Sequence, residues 1–326
     1  MPEIIQLEAQ VPDSQAGDRL DQVAARLFEE YSRSRLQSWI KNGSLLVDGK
    51  QCRPRDKVAS GAQLTVNAES EQEITWKAQD IDLDIVYEDE SIIVINKPAG
   101  LVVHPAAGHA DGTLVNALLN HAPELDQLPR GGIVHRLDMD TSGIMVAART
   151  LAAHHHLVAQ LQARTVKRQY CAVCIGTMTG GGTIDEPMGR HPRHRKKMAV
   201  VAMGGKPAIT HYKVVRRYGH HTRIAVSLET GRTHQIRVHM AHRHYPLIGD
   251  PSYGGRPKLP KGASQELIEA LRGFPRQALH AELLGLIHPA SGEDRQFECP
   301  LPDDMIALLD VLAREDPPGG AIVRAY

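Results

Sequence analysis

The sequence lacks long apolar runs. None of its segments reaches the roughly 18 consecutive apolar residues that a transmembrane helix needs. The first residues also lack the basic and apolar stretches of a secretory signal. These absences argue against a transmembrane helix and a secretory signal, and a cytoplasmic location is expected.

Cysteine is scarce as well. The 326 residues include four cysteines, too few and too scattered for a disulfide framework. Cys171 and Cys174 alone are close enough in sequence to form a metal or redox pair. The residues around them alternate as in a β-strand, so the two thiols are predicted to point to opposite faces.

Other metal-ligand patterns are missing. No second cysteine pair completes a four-thiolate site. The consecutive histidines at 154–156 diverge in direction on a helix, which favours a helix surface over a ligand set. No His-Glu-x-x-His pattern is present. We therefore expect neither a metal nor a cofactor.

Net charge is absent too, because 38 basic and 38 acidic residues cancel. Their distribution is uneven. Residues 190–243 carry thirteen Lys or Arg and one acidic residue, whereas residues 69–90 carry nine acidic residues and one Lys. The basic run at 190–197 indicates either a solvated loop or a surface for phosphates, whose affinity would fall with salt.

Two short amphipathic helices are predicted near the N-terminus. The first begins near Asp18. The second has Ser34 as its N-cap and Gly43 as its left-handed end. A hairpin with an Asp-Gly turn at 48–49 follows, and residues 63–66 have the alternation of a later strand.

A second domain is expected after the acidic segment 68–84, which has few large apolar residues and is predicted to be a linker. Its first strands, residues 85–87 and 92–95, are β-branched runs separated by three acidic residues, which indicates a hairpin. An amphipathic helix over 302–313 precedes a C-terminal tail, residues 314–326, that is expected to be mobile.

The most unusual polar segment is 135–143. It lies between two apolar runs, 133–134 and 144–148, that are typical of strands covered on both faces. Asp and Arg are rarely buried unless paired, so Asp138 needs a cationic partner or a chemical task. The alternative is an ordinary turn built on Asp138 or Asp140, since Asp, Ser and Gly cluster in turns.

Residues 135–143 read His-Arg-Leu-Asp-x-Asp-Thr-Ser-Gly and resemble the active-site motif of the pseudouridine synthases that modify ribosomal and transfer RNA. Residues 96–105, 231–239 and 246–251 resemble further motifs of that family, and the resemblance covers about 300 residues. It implies an enzyme without a cofactor that isomerises uridine to pseudouridine. The implied substrate is large-subunit (23S) ribosomal RNA, at the helix 69 stem-loop.

The resemblance also implies four site residues. Asp138 corresponds to the catalytic Asp, and Arg136 to the Arg that enters the RNA helix near the flipped base. Tyr170 corresponds to the Tyr that stacks on that base, although its alternating strand alone predicts only a core residue. Arg237 corresponds to the Arg that pairs with the catalytic Asp. A stacked base cannot reach a buried carboxylate, so the target uridine is expected to be flipped out.

Residues 16–67 resemble the S4 RNA-binding domain, with two short helices, an Asp-Gly hairpin and a set of basic residues. Those residues are Arg33, Arg35, Lys41, Lys50, Arg53, Arg55 and Lys57. Arg33 and Arg35 come near the start of the second helix, where side chains and free amides can meet a phosphate. A small solvated module without a ligand is the alternative.

The expected fold is α+β. The catalytic domain, residues 85–313, is predicted to have a mixed, largely antiparallel sheet with flanking helices and a central cleft; the sheet topology is implied by the resemblance. The expected partner is large-subunit ribosomal RNA or its assembly particle, and a monomer is expected. The competing hypotheses are a non-catalytic RNA-binding ribosome assembly factor and a metal-dependent hydrolase, whose ligand motifs are missing.

Overall fold

The structure is a computed structural model that describes residues 4–31, 33–69, 76–105, 109–255 and 259–318. The chain divides into two compact units between residues 75 and 76. Within the described ranges, no helix is both long enough and apolar enough to cross a lipid bilayer.

The N-terminal unit packs two helices on a three-stranded antiparallel sheet. Its elements are β1 (Ile4–Gln10), α1 (Leu20–Leu27), α2 (Arg33–Asn42), β2 (Leu45–Val47) and β3 (Gln63–Glu69). The strand order is β1-β3-β2. The apolar stripes of the helices form the core, in which Leu20, Leu36 and Ile40 are fully buried.

Two details of this unit differ from the sequence-based expectation. Helix α2 begins at Arg33, so Ser34 lies inside the helix and is not its N-cap. Strand β1 is not predicted by the sequence pattern. Only its alternate residues are covered, and Ile4 is 61% exposed. Pairing with β3, in a register that sets Ile4 opposite Glu69, defines the strand.

Arg33 is engaged inside the N-terminal unit. Its guanidinium donates to the buried carboxylate of Asp21 at 2.8 Å, and Arg19 donates to the same carboxylate at 3.0 Å. Burial raises the pKa of Asp21, but hydrogen bonds from Arg33, Gln37 and Arg19 outweigh it and hold that pKa below its usual range. Other basic side chains of the unit are exposed: Lys41, Lys50, Arg53, Arg55 and Lys57.

The second unit holds the remaining regular elements. They are β4 (Ile85–Glu88), β5 (Ile92–Lys97), α3 (Leu114–His121), β6 (Ser142–Ala148), α4 (Leu151–Ala163), β7 (Lys167–Ile175), β8 (Gly182–Asp185), β9 (Met188–Arg190), β10 (Met198–Val200), β11 (Ile209–Arg217), β12 (His221–Leu228), α5 (Gln235–His242), α6 (Gln265–Gly273), β13 (Leu279–Ile287), β14 (Asp294–Glu298) and α7 (Asp303–Glu315). The predicted α+β class is confirmed.

A nine-stranded mixed sheet forms the centre of this unit. Its order is β4-β5-β6-β13-β7-β12-β11-β8, with β14 paired to β13. All neighbours are antiparallel except β6 and β13, which run parallel. Strands β9 and β10 form a separate hairpin whose tip carries the basic run at 190–197. The largely antiparallel sheet expected from the sequence is therefore present.

Strand β7 has a hydrophobic core on each face. Tyr170, Ala172 and Cys174 face the larger core, whereas Cys171 and Val173 face a second core built with α6 and α7. The prediction that the two cysteines point to opposite faces is confirmed. Their thiols cannot chelate one ion together, because the strand lies between them.

Gly143 allows the parallel strands to meet. Its φ is +114°, a conformation that L side chains rarely adopt, and a Cβ there would overlap the carbonyl oxygen of Ala281 on β13. The end of the Asp138 motif therefore enters the sheet where two backbones lie too close for a side chain. This close approach fixes the motif next to β13 and, one strand further, to β7.

Both ends of the second unit are tied to its body. Residues 76–84, at the end of the expected linker, lie on the body of the second unit, where the amide of Gln79 donates to the Asn116 carbonyl at 3.0 Å. Asp316, in the expected tail, is buried and binds the ring nitrogens of His220 and His221 at 2.9 and 2.7 Å. The rest of that tail, from residue 319, lies outside the described residues.

Candidate active site

Asp138 lies in the loop that leads into β6. The amide of Thr141 donates to the Asp138 carbonyl at 3.0 Å, so the loop forms the turn that its composition indicates. Backbone groups close this turn, and the Asp138 carboxylate takes no part in it. That side chain, 16% exposed, is left for a partner or for chemistry.

Arg237, on α5, is the partner. Its Nη1 donates to Oδ2 of Asp138 at 3.0 Å, across 99 residues of sequence. This is the ion pair that the late motif predicts. The other edge of the guanidinium binds Asp250. Its Nε donates to Oδ2 at 2.7 Å, and its Nη2 donates to Oδ1 at 2.9 Å. The planar fork of Arg suits such two-point binding.

The charges of this cluster support one another. Burial lowers the pKa of Arg237, but the hydrogen bond and charge of Asp250, followed by those of Asp138, raise it above the usual Arg value. Burial likewise raises the pKa of Asp250, and Arg237 with the amides of Tyr253 and Ser252 outweighs that effect and lowers it. The Arg237–Asp250 pair therefore stays ionised at neutral pH and holds the guanidinium in place for Asp138.

His234 faces the second oxygen of Asp138. Its Nε2 lies 3.9 Å from Oδ1, and its Nδ1 is hydrogen-bonded to the Tyr253 hydroxyl at 2.8 Å. Burial lowers the pKa of His234; the charge of Asp138 opposes this effect and that of Arg237 adds to it. The imidazole is therefore neutral at neutral pH. Sequence reasoning did not select this residue.

Thr233 is of a residue type that favours the N-cap position, but it does not cap α5. His234 directly precedes α5, with a left-handed φ of +57° and no capping hydrogen bond from its side chain. The carboxamide oxygen of Gln235 instead accepts from the Arg232 amide at 3.0 Å and from the Thr230 hydroxyl at 2.8 Å. This amide group closes the turn before the helix, so no Thr hydroxyl is required there.

Tyr170 reaches the site through the sheet. It lies opposite Ala281 of β13, and Ala281 lies opposite Gly143 of β6. Burial raises the pKa of the Tyr170 phenol. The positive charge of Arg168 opposes that rise, and the negative charge of Asp138 adds to it. The phenol is therefore neutral at neutral pH, and it lies near enough to Asp138 for the charge of that carboxylate to act on it.

Arg136 lies on the surface of the same loop, two residues before Asp138. Its side chain is exposed and makes no hydrogen bond or ion pair with any residue that the structure describes. Its charge still reaches the site, where it contributes to the lowered pKa of His234 after the larger effect of burial. The residue is therefore available to an incoming ligand.

Lys97, from the Asn-Lys-Pro loop, lies fully buried under the site. Its ammonium donates to the carbonyls of Pro98, Leu101 and Met139 at 2.7, 2.9 and 2.9 Å. Burial lowers the pKa of Lys97 to about 7, although the charges of Asp140 and Asp138 oppose that shift. This side chain ties the loop at 96–105 to the turn that carries Asp138.

Two further contacts anchor the Asp138 loop. The Val146 amide donates to Nε2 of His135 at 3.1 Å, and burial lowers the pKa of His135 to about 3, which keeps that nitrogen an acceptor. Arg276 donates to the Asp140 carbonyl at 3.2 Å while binding both oxygens of Asp304 at 2.6 and 2.8 Å. The loop is therefore held rigidly, as a reactive carboxylate requires.

This arrangement presents one carboxylate oxygen for reaction. Oδ2 of Asp138 is held by Arg237, whereas Oδ1 accepts no hydrogen bond from the described residues. Among those residues, no group of three or more His, Cys, Asp or Glu side chains is placed to hold a metal ion. An oriented carboxylate can add covalently or stabilise positive charge at a sugar carbon.

Comparison with known proteins agrees with this chemistry. A family model described as RNA pseudouridylate synthase matches residues 91–242, and a model of the S4 domain matches residues 18–64. "Ribosomal large subunit pseudouridine synthase D" of Pseudomonas aeruginosa is 61% identical over 97% of this chain and 98% of that protein. The protein of the same name from Escherichia coli (strain K12) is 55% identical over 96% of each chain.

Solved structures show the same fold. "Human RNA Pseudouridylate Synthase Domain Containing 4" is 27% identical, covers 72% of this chain and 94% of its own, and superposes with a TM-score of 0.56. "Human RNA Pseudouridylate Synthase Domain Containing 1" is 24% identical, covers 76% of this chain and 99% of its own, and has a TM-score of 0.54. The second likeness concerns the fold alone.

Proposed function

The chain belongs to the RNA pseudouridylate synthase family and is a pseudouridine synthase, and we propose that Asp138 is its catalytic residue and large-subunit ribosomal RNA its substrate. The observation that carries the first part is the Asp138 carboxylate, whose Oδ2 is held by Arg237 while Oδ1 accepts no hydrogen bond from the residues that the structure describes. The second part is supported by the printed names of relatives that match this chain over nearly its whole length.

The reaction suits a fixed carboxylate. Uridine isomerisation breaks the bond between N1 and C1′ and forms a bond between C5 and C1′; a proton leaves C5 and N1 gains one. No electrons are exchanged with a cofactor. As the glycosidic bond weakens, charge develops on the sugar and the base, and an ionised side chain held beside them stabilises that state.

Base flipping brings the uridine to Asp138 in this proposal. A paired or stacked base cannot reach a carboxylate in a loop under the protein surface, so the nucleotide turns outward. Arg136 then fills the vacated space in the RNA, which its exposure and its lack of a partner among the described residues support. Tyr170 packs against the extruded ring, for which its neutral phenol beside Asp138 is suited.

The target we propose is the helix 69 stem-loop of 23S RNA, in the cytoplasm, acted on by a monomer. The S4 domain supplies one basic surface for RNA, and the hairpin of β9 and β10 supplies another. Arg193 and Lys196, at the tip of that hairpin, are exposed, and their side chains make no hydrogen bond or ion pair with the described residues. Phosphate contacts of this kind position an RNA without reading its sequence.

Asp138→Asn tests the catalytic assignment. We expect this variant to lose tritium release from C5-labelled uridine in 23S RNA, because the amide cannot replace an ionised carboxylate, while it still binds the RNA in a filter assay. Asp140→Asn is the matched control in the same loop, and it should stay within a few-fold of the wild-type rate. Wild-type release by Asp138→Asn would contradict the assignment.

The target is tested separately. Pseudouridines can be mapped by chemical adduct formation and reverse-transcription stops in ribosomal RNA from cells with and without this protein. Stops that disappear from helix 69 would support the proposed target, and stops that disappear elsewhere would replace it. If Asp138→Asn restored all cellular functions, the protein would act chiefly as a binding factor in ribosome assembly.

A further inference from the structure

His234 is the residue near Asp138 whose placement the reaction described above does not yet use. It stands between two polar groups: the Tyr253 hydroxyl on its Nδ1 side, at 2.8 Å, and Oδ1 of Asp138 on its Nε2 side, at 3.9 Å. The ring also packs edge-on against the Tyr253 ring, with centroids 5.6 Å apart. The imidazole plane is thus fixed from one side and directed at the carboxylate on the other.

The hydrogen bonds of Tyr253 set the tautomer of this imidazole. The amide of Met198 donates to the Tyr253 hydroxyl oxygen at 3.0 Å. The hydroxyl proton then needs an acceptor, and among the described residues Nδ1 of His234 is the acceptor within reach. A hydroxyl that donates to Nδ1 leaves that nitrogen unprotonated and places the proton of a neutral imidazole on Nε2. That N–H points toward Asp138.

We infer that His234 is a positioning residue for Asp138. As the substrate enters, His234 donates from Nε2 to Oδ1 of Asp138 and so holds the carboxylate plane together with Arg237. The inference rests on the proposed role of Asp138. The present 3.9 Å separation has to shorten by about 1 Å to reach a hydrogen bond. Catalytic hydrogen bonds are often long in a free enzyme and tighten only in the substrate complex.

The left-handed backbone of His234 decides which substitutions can test this inference. A φ of +57° is uncommon for a residue with a side chain, and Asn, Asp and His adopt it several times more often than other such residues. His and Asn are therefore both compatible with this position, and His234→Asn changes the imidazole without adding backbone strain.

Three variants test the inference. His234→Asn removes the Nε2 donor and keeps a residue that accepts the left-handed backbone. His234→Gln restores an N–H donor at the distance of Nε2. The matched control is His244→Asn, because His244 also has a left-handed φ, +65°, follows the other end of α5 and has an exposed side chain. Single-turnover tritium release and RNA binding are measured for each.

We expect His234→Asn to lower the single-turnover rate about 10- to 100-fold with an unchanged Kd for RNA, because a misplaced carboxylate affects chemistry and not binding. His234→Gln should recover part of that rate, and His244→Asn should match the wild type. A wild-type rate for His234→Asn, or equal losses in His234→Asn and His234→Gln, would overturn the inference.

Tyr253→Phe tests the role of the hydroxyl. Without it, Nδ1 of His234 loses its donor and the tautomer is no longer fixed, so a rate loss is expected. If Tyr253 acts through His234, the double variant with His234→Asn is no slower than His234→Asn alone. Fully additive losses would contradict this link.

A measurement on the free protein needs no substrate. In ¹H–¹⁵N correlation spectra of protein with ¹⁵N-labelled histidine, the signals missing from His234→Asn identify this ring. They should report a proton on Nε2 in the wild type and a changed pattern in Tyr253→Phe. A proton on Nδ1 in the wild type would overturn the inference even if the RNA target proved wrong, whereas an inactive wild type with the predicted tautomer would count against the proposed substrate only.

Discussion

Arg237 binds two carboxylates at once, and this arrangement determines what a substitution at any one of the three residues does to the site. Asp250 takes two of its hydrogen bonds and Asp138 takes one. The guanidinium is buried, 6% exposed, so it cannot turn to water if either partner is removed. A buried charge that loses its partner is strongly destabilising.

Asp250→Asn should therefore lower both stability and activity. We expect a loss of about 3 kcal/mol in the free energy of unfolding at pH 7, together with a lower rate because Arg237 is no longer held for Asp138. Urea unfolding gives the first quantity and tritium release the second. Glu124→Gln is the control: it breaks the exposed pair with Arg149 and should cost less than about 1 kcal/mol.

The stability difference between wild type and Asp250→Asn should depend on pH in one direction. The pKa of Asp250 is lower in the folded protein than in the unfolded chain. Its stabilising effect is thus complete above the unfolded value, about 4, and is lost as the pH falls through the folded pKa. A difference that grew toward acid pH would contradict this account.

At the scale of elements, the parallel pairing of β6 with β13 is the most demanding contact of the sheet. It joins residues 138 positions apart, as the hydrogen bond between Ser142 and His280 shows. It also requires the positive φ of Gly143 and leaves no room for a side chain there. The active-site loop ends at this contact, so its geometry depends on it.

Gly143→Ala is expected to destabilise the protein by at least about 3 kcal/mol, because the added methyl group meets backbone and the φ is disfavoured. Gly180→Ala is the matched control, since Gly180 has no positive φ and no atom near its Cβ position. Thermal or urea unfolding compares the two. Equal stability of both variants would show that β6 and β13 can separate without cost.

Sequence patterns were most reliable for elements whose own apolar residues show which face is buried. The apolar runs 92–95 and 144–148 form most of β5 and β6, and the helices α1 and α7 have a clear apolar stripe. The pattern failed where a neighbour defines the element. Strand β1 depends on β3, and the start of α5 depends on the folded-back side chain of Gln235.

At the scale of the whole molecule, charge is separated although the total is zero. The exposed basic side chains of the hairpin of β9 and β10 are part of the excess at 190–243. Affinity from such a surface arises from counterion release and falls with salt. A neutral protein can therefore bind RNA through one face.

The double change of Arg193→Gln and Lys196→Gln should weaken RNA binding at low salt. It should also reduce the slope of log K against log salt by about 1 to 2, since each lost phosphate contact removes roughly 0.7 to 0.9. The rate at saturating RNA should stay the same. Arg295→Gln, on β14, is the control for a cation that is paired with Glu293. An unchanged slope would exclude the hairpin from the RNA surface.

The site residues show where sequence reasoning ends. Asp138, Arg136 and Arg237 could be selected because each stands in a motif, and Tyr170 because it corresponds to a Tyr of the family. Lys97 and Asp250 also stand in motifs. The sequence does not show, however, that Lys97 is buried under the Asp138 loop or that Asp250 binds the guanidinium of Arg237. His234 is one residue of a motif whose backbone conformation no local pattern predicts.

The sequence by itself determined the properties that depend on near neighbours: strand alternation, helical stripes, the turn around Asp138 and the residue types needed for the chemistry. The tertiary structure alone decided which distant groups meet. Sheet order places β13 between β6 and β7, and α5 carries Arg237 back to Asp138 across 99 residues. The reason is physical: local preferences act over a few residues, whereas such contacts follow from the packing of the whole sheet.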